Sequence, residues 1–149
     1  MKFLATIGYE SATVQTFLDA LRDARIDLLV DVRAAARSRR PGFAKSRLAA
    51  TLQEAGIAYL HLSGLGTPAD GRAAARAGNH EEMKRVFREH LASAVAQEQL
   101  STLVDLIGAG QRVCLLCLEN DPEHCHRSIV ARAAAARIPL KIDHLHPME

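Results

Sequence analysis

Apolar positions along the chain alternate between short unbroken runs and stripes at helical spacing, and this alternation predicts the elements. Phe3-Leu4-Ala5-Thr6-Ile7 is a short run closed by Gly8, the pattern of a first strand. Val14, Phe17, Leu18 and Leu21 then recur on one helical face, with Ser11 or Thr13 placed to cap it. Ile26 to Val32 is apolar apart from Asp27 and Asp31, as in a strand covered on both faces of a parallel sheet. Leu48, Leu52 and Ala55 mark a second helix that Gly56 would stop. Ile57 to Leu62 reads as a third strand, with Tyr59 and His61 on the face opposite Ala58 and Leu60.

Ser63 to Asn79 contains Gly64, Gly66, Pro68, Gly71 and Gly78, and its length predicts a functional loop or lid with a helical turn over Arg72 to Ala77. His80 to Ile107 carries helical spacing throughout and predicts two helices. Val113 to Leu118 is the clearest strand. Its loop, Glu119 to Cys125, leads into an Ala-rich helix from about His126 to Arg137, which Pro139 ends before a last strand at Leu140-Lys141-Ile142. The series βαβαβ, helices, βαβ predicts an α/β fold with a parallel sheet and helices on both faces.

Composition narrows the class. At 149 residues the chain fits a single domain over 1–149, and 48% hydrophobic with 24% charged residues is a globular balance that excludes disorder. No apolar run approaches the ~20 residues of a membrane span, and the first residues are too short a run for a signal peptide. Three cysteines, an odd number, argue against a disulfide framework and predict a reducing, cytoplasmic setting. The net charge is only +2, yet Arg33, Arg37, Arg39, Arg40, Lys45 and Arg47 fall within fifteen residues that hold no acid. Without those six, 13 basic residues face 17 acidic ones, so the basic character is one local patch. Such a patch suits an anionic ligand or a nucleic-acid backbone. With Phe43 the single aromatic in the run, a base-stacking platform is poorly supported.

In open α/β sheets ligands bind beyond the carboxyl ends of the strands, and this collects a definite set of residues. Gly8, Tyr9 and Glu10 follow the first strand, Asp31, Arg33 and the basic loop the second, and His61, Ser63 and the glycine-rich stretch the third. Cys117, Glu119 and the run His124-Cys125-His126-Arg127-Ser128 follow the fourth. Cys114 sits mid-strand and reads as a small core residue, whereas Cys117 points the opposite way. Cys125 precedes a helix beside His126 and Arg127, where dipole and positive charge lower a thiol's pKa. Arg127 with that helix N-terminus suits an anion. Glu119 is either a general acid or base, or a loop cap or partner of Arg33. The spacing of Cys117, His124, Cys125 and His126 matches no standard zinc pattern, so neither metal nor cofactor is expected. His144 and His146 read as an exposed pair.

Taken in order, Ile7-Gly8-Tyr9, Asp31-Val32-Arg33, Ser38-Arg39, Gly42-Phe43, Ile57-Ala58-Tyr59, Leu65-Gly66, Leu115-Leu116-Cys117-Leu118-Glu119 and Cys125-His126-Arg127 resemble the family known as domain of unknown function 488. The resemblance spans nearly the whole chain. It implies a Rossmann-like three-layer sandwich with a mainly parallel sheet, and it supplies no established reaction. The positions it carries over are Asp31, Arg33, Ser38, Arg39, Phe43, Tyr59, Cys117, Glu119, Cys125, His126 and Arg127. The chain departs from the pattern at Ala36, where proline is common, and at Thr67, where a second glycine is common.

Three functions compete. One is an enzyme on an anionic substrate: Cys125 or Cys117 acts as nucleophile or redox thiol, and Glu119 or His126 moves protons. Asp31, Arg33, Ser38, Arg39, Tyr59 and Arg127 then shape the binding site. The second is a non-catalytic module that holds an anion or a nucleic acid on its basic edge. The third is an interaction subunit forming a homo-oligomer through its Arg- and Ala-rich helix ends. All three need residues 31–43 and 117–127 to meet in one cleft.

Overall fold

A computed structural model describes residues 1–147, and it realises the predicted series closely. Strand β1 (Lys2–Gly8) leads to helix α1 (Val14–Asp23), and β2 (Leu28–Asp31) to α2 (Lys45–Glu54). Strand β3 (Ala58–His61) is followed by α3 (Ala69–Arg76), α4 (His80–Leu91) and α5 (Ala94–Gly108). Then come β4 (Val113–Cys117), α6 (Arg127–Ala135) and β5 (Leu140–Leu145). Between the two candidate caps of α1, Thr13 is the one used. Its hydroxyl accepts from the Thr16 amide while the Thr16 hydroxyl accepts from the Thr13 amide.

The five strands form one sheet in the order β3-β2-β4-β1-β5, and every pairing is parallel. The expected "mainly parallel" sheet is thus wholly parallel, flanked by helices in a three-layer α/β sandwich. Alternation along β4 sorts its side chains between two cores. Cys114 and Leu116 pack with Phe17, Leu21, Leu48 and Leu52 of α1 and α2. Leu115 and Cys117 pack with Phe87, Leu100, Leu103 and Val130 of α4, α5 and α6. All four residues of β2 are buried, as a strand covered on both faces requires.

The glycine-rich stretch differs from its expectation. A 3₁₀ turn at Ser63–Leu65 and the eight-residue α3 replace most of the anticipated loop. The run Ala69 to Arg76 holds helix-favouring Ala and Arg, and its one glycine, Gly71, lies buried. Gly66 needs its lack of a side chain, because a Cβ there would overlap the backbone of Ala34. That contact lays the start of this segment on the loop after β2.

Topology places the crevice. Strands β1 and β4 are neighbours, yet the chain leaves β1 for α1 on one face and β4 for α6 on the other. Loops that diverge in this way open a gap at the carboxyl edge. Gly8 lines up with Cys117 in register, and a Cβ on Gly8 would overlap the Glu119 carbonyl. The Tyr9 and Glu10 amides donate to the carbonyls of Cys117 and Leu118 at 3.3 and 2.8 Å. The Cys117–Glu119 turn is therefore clamped to the end of β1.

Candidate functional site

A cavity of about 640 Å³ opens at this edge, a size suited to a small-molecule ligand. Cys117, Glu119, Cys125 and His126 line it together with Tyr9, Arg33 and Arg37. Parts of the two segments, from Arg33 to Arg37 and from Cys117 to His126, therefore share one cleft.

The chemistry centres on His126. Its Nε2 lies 2.7 Å from the Val32 carbonyl oxygen, which only accepts, so Nε2 carries a proton and donates. This fixes Nδ1 towards the thiols, 3.6 Å from Cys117 Sγ and 3.8 Å from Cys125 Sγ. A Glu119 carboxylate oxygen lies 3.6 Å from Cys117 Sγ. Both cysteines are free thiols and almost wholly buried.

Their environments separate the two sulfurs. Burial works against a Cys125 thiolate, but the hydrogen bond from the Cys117 thiol and the nearby His126 and Arg127 charges outweigh it and hold its pKa well below the usual thiol range. Cys117 is pushed well above that range by the same hydrogen bond and by burial. The His126 pKa is raised: burial opposes its charge, and the Cys125 thiolate more than restores it. Glu119 is lifted to about 7, by burial first and by the Cys125 charge second. The resulting state is a Cys125 thiolate beside a His126 imidazolium, with a neutral Cys117 and a carboxyl poised to exchange a proton. Cys114, buried in the opposite core with its pKa raised by that burial, takes no part.

A second network supports this one from β2. Asp31 is fully buried and makes a two-pronged contact with Arg33, Nη2 to Oδ2 at 2.7 Å and Nε to Oδ1 at 2.9 Å. Arg33 also donates to Tyr9 Oη at 3.1 Å and to the Phe43 carbonyl at 2.7 Å. Tyr59 donates to Asp31 Oδ2 at 2.6 Å, and burial followed by this bond raises its pKa. Burial opposes the Arg33 charge, yet Asp31 keeps its pKa above the ordinary value. Four of these groups thus satisfy each other, leaving Arg33 at the cavity wall with its charge already balanced.

Other expected positions lie elsewhere. Arg127 is completely buried, away from the cavity lining. Its guanidinium donates to the carbonyls of Glu119 and Asn120, and its Nε has no protein partner. It holds up the turn that carries Glu119. Ser38 Oγ accepts from the Arg40 amide in a local turn, and Arg39 is exposed outside the lining. The basic run is also not one patch. Arg33 turns inward, Arg40 donates to the Ala12 carbonyl, and Lys45 and Arg47 ride on α2, so only Arg33 and Arg37 reach the cavity.

The structure brings to the site Arg72, Arg76 and His80, which sequence reasoning did not single out, beside His124, which it did. Arg72 and Arg76 of α3 line the cavity, as do His80 at the start of α4 and His124 before α6. The His80 and His124 rings stack in parallel with centroids 4.0 Å apart. Arg37 and Arg76 form no ion pair among the described residues, so their charge is free to meet an anion. The signal for Arg72 and Arg76 was the glycine-rich segment, which its length marks as a functional loop or lid. What lacked a signal was its fold-back over the site.

Donor atoms of Cys117, Cys125 and His126 all lie within 4.8 Å of one another, a set that a soft metal ion also fits. The nonstandard spacing, which argued against a metal, does bring three donors together through the fold. Among the described residues no helix is long and apolar enough to cross a membrane.

The family model described as domain of unknown function DUF488 matches residues 13–134. No curated protein and no solved structure matches the chain.

Proposed function

The chain belongs to the DUF488 family, and from that premise, which carries no reaction with it, we propose that the protein is an enzyme acting on a small anionic substrate. The observation that carries this reading is the placement of His126 Nδ1 against both thiols at the floor of a cavity rimmed by unpaired arginines. A histidine held by a backbone carbonyl and directed at a thiol is the arrangement that activates a cysteine nucleophile. Cys125 supplies the thiolate, His126 stabilises it, and Glu119 exchanges the proton that the leaving group needs. Arg37, Arg72 and Arg76 draw the anion in, while Asp31, Arg33 and Tyr59 hold the β2 side of the wall rigid.

The test is alkylation of the folded chain by iodoacetamide across pH, read by intact mass and peptide mapping, with and without pyrophosphate. Cys125 is expected to react first, with an apparent pKa well below ~8.5, and the anion is expected to slow it. Slow and uniform modification of all three cysteines would remove the nucleophile. Salt-sensitive anion binding that is indifferent to Cys125→Ser would favour a non-catalytic binding module instead.

A further inference from the structure

A cysteine nucleophile needs a base and a binding site, but it does not need a second thiol. Here a second thiol is built in. Cys117 lies within 4.8 Å of Cys125, shares the same imidazole, and is held at the end of β4 by the register with Gly8. Cys114 sits in the opposite core and cannot join them. A disulfide requires sulfurs ~2.05 Å apart. Closing the remaining gap is within reach of side-chain rotation at Cys125, which lies outside α6 in extended backbone.

We infer that Cys117 is the resolving partner of Cys125, and that the enzyme reduces an anionic low-molecular-weight disulfide by passing through an internal Cys117–Cys125 disulfide. This deepens the proposed function and rests on Cys125 being its nucleophile. Cys125 attacks one sulfur of the substrate; a protein–substrate disulfide forms, the substrate S–S bond breaks, and the departing thiolate takes a proton from Glu119 or His126. Cys117 then gives its proton to the site and attacks Cys125 Sγ, forming the internal disulfide and releasing the second substrate thiol. The substrate gains two electrons and becomes two thiols, and the pair loses them. An external dithiol returns the enzyme to its reduced state. The arginine rim explains the preference for an anionic disulfide, because carboxylates on its arms meet Arg37, Arg72 and Arg76.

The experiment uses the full reduced chain and glutathione disulfide as the probe, followed by alkylation under denaturing conditions and peptide mapping. The wild type is expected to keep one alkylatable cysteine, Cys114, with the 117 and 125 peptides linked. Cys117→Ser is expected to stall with one glutathionyl group on Cys125, and Cys125→Ser to lose reaction with the probe altogether. A wild type that keeps a stable glutathionyl group, or does not react while Cys125 still alkylates fast, overturns the inference and leaves the nucleophile standing. Failure of Cys125 to alkylate at all overturns both. So does a purified chain carrying one equivalent of zinc that blocks both thiols until chelated.

Discussion

His126 donates from Nε2 to the carbonyl oxygen of Val32 at 2.7 Å, joining the start of α6 to the end of β2 across 94 positions of chain. The bond does two things at once. It ties a loop on one side of the sheet to the neighbouring strand end, and it removes Nε2 from the site so that Nδ1 alone faces the sulfurs. A histidine without such a partner would exchange tautomers and turn its ring.

Replacing His126 by Asn should therefore strip Cys125 of its counter-charge while keeping a polar group near Val32. Burial would then dominate, and the apparent thiol pKa should rise to or beyond ~8.5. At neutral pH the iodoacetamide rate at Cys125 should fall by at least about tenfold. Circular dichroism is expected to show an intact fold. An unchanged pH profile would mean that the imidazole does not set the thiol's charge.

Arg127 is a different kind of residue, and its variant should read out as stability. The side chain is fully buried and bonded to the Glu119 and Asn120 carbonyls. Arg127→Met leaves those two acceptors without their charged donor, at a cost of about 2–4 kcal/mol. For a chain of this size the thermal midpoint should drop by roughly 5–15 °C. Arg127→Lys should rescue only part of this, since one ammonium cannot span two carbonyls as a planar fork does. A variant with wild-type stability and weakened anion binding would move Arg127 from support to ligand contact.

Arg37 and Arg76 should show the opposite behaviour. Both are exposed, both line the cavity, and neither forms an ion pair among the described residues. Changing each to Gln should leave thermal stability within about 0.5 kcal/mol of wild type. Pyrophosphate protection of Cys125 should weaken by about 3–10-fold per substitution, more at low salt than at high salt. Titrations of protection at two ionic strengths check this. Arg39→Gln, outside the lining, serves as the control that should change nothing.

The sequence made the layers legible because each strand and helix carries its own periodicity. The unbroken run at β2 and the alternation of Cys114 and Cys117 follow from local pattern, and the structure matches both. The reactive cluster was legible too, since Cys117, Glu119, Cys125 and His126 all fall within ten positions around one strand end. What could not be read was which arginines face inward. Arg33 and Arg127 look like free cations in the sequence, yet a buried aspartate takes one and two backbone carbonyls take the other. Those partners depend on tertiary geometry. The same holds for α3, whose Arg72 and Arg76 reach the site only because the segment folds back from the edge strand β3.

Glu119 gives the last prediction, and its sign follows from the raised pKa. Burial and the Cys125 charge lift the carboxyl to about 7 from its ordinary 4.5. In the folded protein it therefore holds its proton at pH values where the unfolded chain has already released it. Stability linked to this group is full below the unfolded value and is lost as pH rises towards and through about 7. Once the folded carboxyl has ionised the loss is about 3 kcal/mol, the cost of holding that charge next to a thiolate away from water. Glu119→Gln should erase this slope, so denaturant titrations at pH 5 and pH 8 should differ less for the variant than for wild type. The variant should be the more stable of the two at pH 8. The same substitution removes a proton donor, so glutathione disulfide should react more slowly below pH 7 while iodoacetamide, whose iodide leaves unprotonated, should be little affected. A parallel loss with both reagents would instead place Glu119 in shaping the thiolate, and its role as a proton carrier would be set aside.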